Sequence, residues 1–141
     1  MPATGALSFW KVQEVSALAA EEQLPARVFV YGTLKRGHGA HRFLEAGHAR
    51  FLGCDKIKGT MHNYGHFPAV SLEGQDTIHG EIYEVSAETL EHLDLFEGVP
   101  RFYQRTRVRM STGKDAWVYV MDEERLTGKK VVASGRWEQR Q

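Results

Sequence analysis

A glutamate at the end of a predicted helix is the residue of this chain best suited to acid–base chemistry. The segment from Ser86 to Gly98 is typical of a helix, because serine is a good N-cap and glycine followed closely by proline ends a helix. At 100° per residue, Glu97 falls on the apolar side, between Leu90 and Leu93. A carboxylate there is costly unless it is paired, hydrogen-bonded or protonated, and burial raises its pKa toward values useful for proton transfer.

The same helical geometry separates Glu97 from the other acidic residues of the helix. The predicted apolar arc consists of Thr89, Leu90, Leu93 and Phe96. Glu88 and Glu91 face water, and Asp94 lies at the border. Two structural alternatives remain open for Glu97, namely a salt bridge to a nearby arginine, such as Arg101 or Arg105, and a frayed last turn that points it outward.

A second candidate is the glycine-containing loop that follows a strand-like run from Val28 to Tyr31. The run stops at Gly32, and a helical pattern begins near His41. A strand, a glycine turn and a helix start allow several backbone N–H groups to converge on one anion. We predict that this loop receives a carboxylate, with an ordinary structural turn as the alternative. Neither phosphate-binding pattern is present, so a nucleotide is not favoured.

The remaining patterns predict the sheet that would position these groups. Residues 49 to 71 read as short strands joined by tight turns at glycines and at Pro68. From Ile78 to Val85 the pattern alternates, with Ile78, Gly80 and Ile82 on one side. Two further runs, 103 to 110 and 117 to 121, predict a hairpin, and residues 131 to 133 predict a last short strand.

The first residues predict an appendage to this domain. Phe9, Val12, Val15 and Leu18 recur at spacings of three, which favours a short amphipathic helix within residues 1–26. We expect the main domain to span residues 27–141. The extension would either dock on its own domain or form a homodimer interface.

Charge, hydropathy and cysteine content limit the kinds of partner and the cellular compartment that we expect for this protein. The 141 residues include 18 basic and 18 acidic side chains, so the formal net charge is zero. No overall positive field therefore attracts nucleic acid or an anionic membrane surface. No apolar run reaches the length of a membrane helix, no signal-peptide pattern is present, and Cys54 is the single cysteine, so we expect a cytoplasmic protein without disulfides. Cys54 is expected to be a small buried strand residue. The seven histidines form no known zinc pattern, so we expect no metal.

Three segments in order carry a resemblance to a known family. They are Tyr31-Gly32-Thr33-Leu34-Lys35-Arg36-Gly37, His79-Gly80-Glu81-Ile82-Tyr83-Glu84-Val85, and Leu93-Asp94-Leu95-Phe96-Glu97-Gly98 with Tyr103-Gln104-Arg105 after it. Over about residues 27 to 137 the chain resembles the γ-glutamylcyclotransferase-like family, in particular its branch of γ-glutamylamine cyclotransferases and AIG2-like proteins. The resemblance implies an α+β fold, with a mixed, mainly antiparallel sheet closed into a small β-barrel, flanking helices and a cavity at its mouth.

The resemblance also implies a reaction without metal or organic cofactor. The α-amine of a γ-glutamyl amine or γ-glutamyl amino acid attacks its own γ-carbonyl, which releases 5-oxoproline and a free amine. Glu97 matches the family's catalytic acid. The implied substrate-binding residues are Tyr31, Gly32, Thr33, Leu34 and Tyr103.

Two points remain open beside this resemblance. Ala40 stands where many relatives carry Asn, which affects the side-chain hydrogen bonding of the loop. Tyr103 would either turn its hydroxyl toward the substrate or pack inside the barrel. A non-catalytic module that binds a small carboxylate in the same cavity is the alternative function, because a fold does not by itself establish chemistry.

Overall fold

The structure is a computed structural model, and it describes residues 25–138. Its helices and strands are β1 (Ala26–Val30), α1 (Arg42–Ala46), β2 (Arg50–Asn63), β3 (Pro68–Val85), α2 (Ala87–Glu97), β4 (Gln104–Arg109), β5 (Asp115–Val120) and β6 (Lys130–Val131). Short 3-10 turns cover Gly39–His41 and Glu123–Leu126. The predicted N-terminal helix lies outside the described residues, so the division of the chain at residue 27 stays a prediction.

The six strands of the described region form one curled sheet in the order β4-β5-β1-β3-β2-β6. β1 runs parallel to β5, and all other neighbours are antiparallel. Main-chain hydrogen bonds from Ser111 to Lys56 and from Met121 to Val70, both 2.9 Å, bring the β4–β5 hairpin back toward β2 and β3. The predicted α+β class with a mixed, mainly antiparallel barrel is confirmed, and the barrel is a half-barrel.

β1 lies in the middle of this sheet and is buried on both faces. Val28 and Val30 pack in the cluster that includes the helices, whereas Phe29 and Tyr31 pack in the cluster inside the curl. A strand covered on both sides requires a continuous apolar run, which explains the sequence of β1. Its C-terminal end delivers the glycine loop to the mouth of the half-barrel.

Within residues 49 to 71, the predicted turn near Gly65 and Pro68 is confirmed, but the predicted turns at Gly53 and Gly59 are wrong. β2 is a single strand of 14 residues that pairs with β3 of 18 residues. Gly53 and Gly59 mark register shifts inside the ladder, and only the segment from Tyr64 to Phe67 reverses the chain. Glycines at bulges give the same sequence signal as glycines at turns, which explains the error.

The alternation in the second half of β3 and the β4–β5 hairpin are confirmed. A last short strand is also confirmed, but it covers Lys130–Val131 and not residues 131 to 133.

The expectation that Cys54 is buried is wrong, because its side chain is exposed. After the shift at Gly53, Cys54 lies on the same outer face as Lys56 and Lys58.

Candidate functional site

Helix α2 holds Glu97 at a well-ordered end. Ser86 caps the start of the helix with a side-chain oxygen that accepts a main-chain N–H at 3.1 Å. Gly98 ends the helix in the left-handed conformation at φ 69°, and the Val99 N–H donates to the carbonyl of Asp94 at 3.0 Å. Glu97 is therefore the last helical residue, and the frayed-turn alternative does not apply.

The buried side of α2 agrees with the predicted arc except at its end. Thr89, Leu90 and Leu93 are buried, as expected. The placement of Phe96 in the buried arc is wrong, because 43% of this residue is exposed. The Phe96 ring packs against Phe43 of α1 with 4.6 Å between ring centroids.

Glu97 is sheltered but has no partner in the described part of the chain. Burial raises the pKa of its carboxyl from 4.5 to about 7. Among residues 25–138 no hydrogen bond or ion pair joins this side chain, so the salt-bridge alternative is wrong. Arg105 Nε instead donates to Asp94 Oδ1 at 2.8 Å, one turn earlier on the same helix.

The loop after β1 leaves three main-chain donors unused within residues 25–138. The Gly32 carbonyl accepts from Lys35 N–H at 3.0 Å, and the Thr33 carbonyl accepts from Ala40 N–H at 2.9 Å. In a trans peptide the N–H points opposite to the C=O, so the N–H groups of Thr33 and Leu34 point away from those contacts. The amides of Gly32, Thr33 and Leu34 donate no hydrogen bond to another described residue.

The glycine at position 32 is required by a close approach to β3. A Cβ at Gly32 would lie 2.6 Å from Cγ of Pro68. Any side chain would push the loop away from the β3 strand. The sequence predicts a glycine turn here, but only the structure supplies this packing reason.

The two candidates meet at one cavity of about 370 Å³. All six residues proposed from the sequence line it: Tyr31, Gly32, Thr33, Leu34, Glu97 and Tyr103. The other lining residues are Phe29, Val30, Gly39, Ala40, Arg42, His66, Phe67, Pro68, Phe96, Phe102 and Tyr119. A largely apolar pocket with a few converging polar groups is typical of a small-molecule site.

The two tyrosines proposed for the site contribute their rings to the cavity wall. The hydroxyl of Tyr31 donates to the Tyr119 carbonyl at 2.6 Å, and that of Tyr103 donates to the Pro68 carbonyl at 2.6 Å. Burial, with the nearby charge of Glu97, raises the pKa of both Tyr31 and Tyr103. Both hydroxyls are therefore neutral, and both are held by the main chain.

Sequence reasoning missed most of the aromatic lining. Tyr119 faces the cavity from β5, and Phe102 precedes Tyr103 in the turn that returns from α2. The Phe102 N–H donates to the Gly98 carbonyl at 2.8 Å, which folds this turn back beside Glu97. For Phe102 the signal was its short spacing from Glu97 in the sequence, which keeps the two residues close in space. Tyr119 lies on a different strand, and no local pattern marks it.

The described residues also give two further observations. No group of three or more His, Cys, Asp or Glu side chains within residues 25–138 is arranged to hold a metal ion. In the same range, every helix is too short or too polar to cross a membrane.

Comparison with known proteins identifies the family to which this chain is similar. The model of the family described as "Gamma-glutamyl cyclotransferase, AIG2-like" matches residues 28–139. A Vibrio cholerae protein, provisionally named a gamma-glutamylcyclotransferase, is 38% identical over 116 residues, which are 80% of this chain and 96% of that protein. Gamma-glutamylaminecyclotransferase C of Danio rerio is 39% identical over 93 residues, with 59% of this chain and 60% of that protein covered.

Solved structures agree with the sequence comparison. An AIG2-like protein from Mus musculus superimposes with a TM-score of 0.61 at 33% identity, over 68% of this chain and 76% of that chain. The family model covers most of the sequence, including the glycine loop, α2 and the β4–β5 hairpin. The chain therefore belongs to the AIG2-like γ-glutamyl cyclotransferase family.

Proposed function

We propose that the chain is a γ-glutamyl cyclotransferase that converts a γ-glutamyl amine or γ-glutamyl amino acid into 5-oxoproline and a free amine. The observation that carries this proposal is the placement around one cavity of a sheltered carboxylate and three amides that have no hydrogen-bond partner among residues 25–138. The substrate's own amine is the nucleophile, so the protein needs to fold the substrate and move protons.

The proposed reaction uses Glu97 twice. Its carboxylate takes a proton from the substrate α-ammonium, and the freed amine attacks the γ-carbonyl carbon to form a five-membered ring. The tetrahedral intermediate then expels the leaving nitrogen, which takes a proton from Glu97. The second proton of the ring nitrogen passes through the regenerated Glu97 carboxylate to the released amine, which departs as an ammonium ion. The C–N bond of the ring forms, the bond to the leaving amine breaks, and Glu97 returns to its starting state.

The raised pKa of Glu97 fits both halves of this cycle. At a pKa of about 7, the carboxylate and the carboxylic acid are nearly equal in population at neutral pH. A group with a pKa close to the working pH is an effective base and an effective acid. A solvated glutamate, titrating near 4.5, would be a much weaker acceptor for the ammonium proton.

The loop's proposed role is to anchor the substrate and stabilise its charge. The amides of Gly32, Thr33 and Leu34 would hold the α-carboxylate, which places the α-amine toward Glu97. A main-chain donor near the γ-carbonyl would also stabilise the oxyanion, an effect worth about 3 to 4 kcal/mol for one such donor. Tyr31 and Tyr103 contribute the rigid walls against which the γ-glutamyl chain folds.

The Glu97→Gln variant tests this role. We expect its rate of 5-oxoproline release to fall by about 10² to 10⁴, since the amide keeps the shape of the side chain but cannot exchange the proton. Glu91→Gln is the matched control, because Glu91 is an exposed glutamate on the same helix and should leave the rate unchanged. Near-normal release by a folded Glu97→Gln protein would remove Glu97 from the mechanism.

The same assay separates the enzyme from a non-catalytic module. Wild-type protein is incubated with γ-glutamyl amines and γ-glutamyl amino acids, and 5-oxoproline is measured along with binding. Turnover of any of them supports the cyclotransferase. Binding across the panel without release of 5-oxoproline would instead favour a module that only senses or carries its ligand.

The cellular setting and assembly also belong to the proposal. A reducing, cytoplasmic compartment suits the free, exposed thiol of Cys54.

The proposed binding partner is a small-molecule substrate, and we propose no binding of nucleic acid or membrane. Homodimerisation through residues 1–26 stays a prediction, and a chain that begins at Pro25 would test it by losing self-association while keeping turnover.

A further inference from the structure

Two chemically different sets of residues line the cavity. The polar set contains Glu97 and the loop amides, which suit the ammonium and carboxylate of a γ-glutamyl group. The aromatic set, called here the aromatic side, consists of Phe67, Phe96 and Phe102. The polar set matches the part of the substrate that every γ-glutamyl compound shares, so the aromatic side remains for the part that differs.

The rings of the aromatic side are held in a packed cluster. Phe67 and Phe102 meet edge to face with 5.9 Å between centroids, and Tyr64 stacks on Phe67 at 5.2 Å. Phe102 also meets Tyr103 edge to face at 5.3 Å. Such contacts fix the ring planes, so this wall is a preformed apolar surface.

Phe96 also lines the cavity and is 43% exposed. Its ring contacts the ring of Phe43, with 4.6 Å between centroids. Covering an exposed aromatic ring with an apolar group is favourable, because apolar surface is removed from water. A substrate whose leaving group reaches Phe96 would provide that cover.

The charges around the cavity argue against a strongly charged leaving group. Among the described lining residues, the basic and acidic side chains are Arg42, His66 and Glu97. Arg42 is already oriented by a hydrogen bond from Nη1 to the Gly39 carbonyl and by the ring of Phe43. No second carboxylate lines the described cavity to receive a distal ammonium group.

A cation held by the rings is disfavoured for a related reason. Arg125 already lies over the Phe102 ring at 5.1 Å, and Lys129 lies over the Tyr64 ring at 4.5 Å. A further cation on these rings would be repelled by the two present, whereas an apolar group would not.

We propose that the leaving amine carries a bulky apolar or aromatic group, packed on Phe96, Phe102 and Phe67. This inference rests on the proposed function and narrows its substrate class. Phe96 is then a specificity residue, which contacts the leaving group and takes no part in proton transfer.

The test compares four substrates: the γ-glutamyl derivatives of phenylalanine, glycine and glutamate, and the derivative of the lysine ε-amine. For the wild type, we expect kcat/KM for the phenylalanine compound to exceed the other three by about tenfold or more. Phe96→Ala should lower that value about tenfold and leave the glycine value within about twofold. Phe51→Ala is the matched control, since Phe51 has the same 43% exposure but does not line the cavity.

Each outcome decides between the claims. Equal kcat/KM values across the four compounds, or a preference for the lysine or glutamate compound, would overturn the apolar leaving group while leaving the cyclotransferase standing. A loss that is equal for phenylalanine and glycine in Phe96→Ala would overturn the specificity role of Phe96. Absence of 5-oxoproline from every compound would refute the proposed function and this inference with it.

Discussion

At the scale of single residues, the site depends on a carboxylate that folding makes harder to ionise. Glu97 has a pKa of about 7 in the folded protein and about 4.5 when solvated, and burial is the cause. Between these values the unfolded chain has released a proton that the folded chain still binds. Stability therefore falls as pH rises through this interval, and the loss is complete above about pH 7.

Glu97→Gln should consequently gain stability over the wild type as pH rises. One pKa unit corresponds to about 1.4 kcal/mol, so the variant should be more stable at pH 8 by at most about 3 kcal/mol. At pH 4, where the carboxyl is mostly protonated in both states, this advantage should be nearly absent. Urea unfolding at the two pH values measures the difference, and an advantage that does not change with pH would contradict the raised pKa.

At the scale of elements, α2 connects the sheet to the site. The sequence predicts its N-cap at Ser86, its end at Gly98 and the inward direction of Glu97, because caps and helical periodicity are local properties. The exposure of Phe96 and the pairing of Arg105 with Asp94 depend on where the sheet ends and where β4 lies. Both features depend on tertiary contacts, which local sequence patterns do not predict.

Asp94 fastens this helix to the sheet through a single oxygen. Its Oδ1 accepts from Arg105 Nε and from the Tyr119 hydroxyl, each at 2.8 Å. Asp94→Ala should lower the free energy of unfolding by about 2 kcal/mol, because hydrogen bonds to a charged group are lost. Asp94→Asn keeps an acceptor oxygen and should lose less. Urea midpoints test this, and equal midpoints for wild type and Asp94→Ala would show that the contact contributes nothing.

At the scale of the whole molecule, the site is assembled from distant parts of the chain. The glycine loop follows the central strand β1, Glu97 ends α2, and Pro68 begins β3 against Gly32. Strand types and the hairpin follow from alternation, but the continuity of β2 through Gly53 does not, since a bulge and a turn use the same residue. The cavity's aromatic side likewise arises only when the curl brings Phe67 near Phe102.

The central claim is that Glu97, sheltered in this cavity, exchanges the proton of the cyclisation. The most direct measurement is kcat/KM for 5-oxoproline release from about pH 5.5 to about pH 8.5, which reports the ionisation of the free enzyme. We expect the wild-type value to rise with a midpoint of about 7, as the Glu97 carboxylate forms, and the residual activity of Glu97→Gln to lack that rise. A wild-type profile without this rise, or the same midpoint in both proteins, would contradict the account.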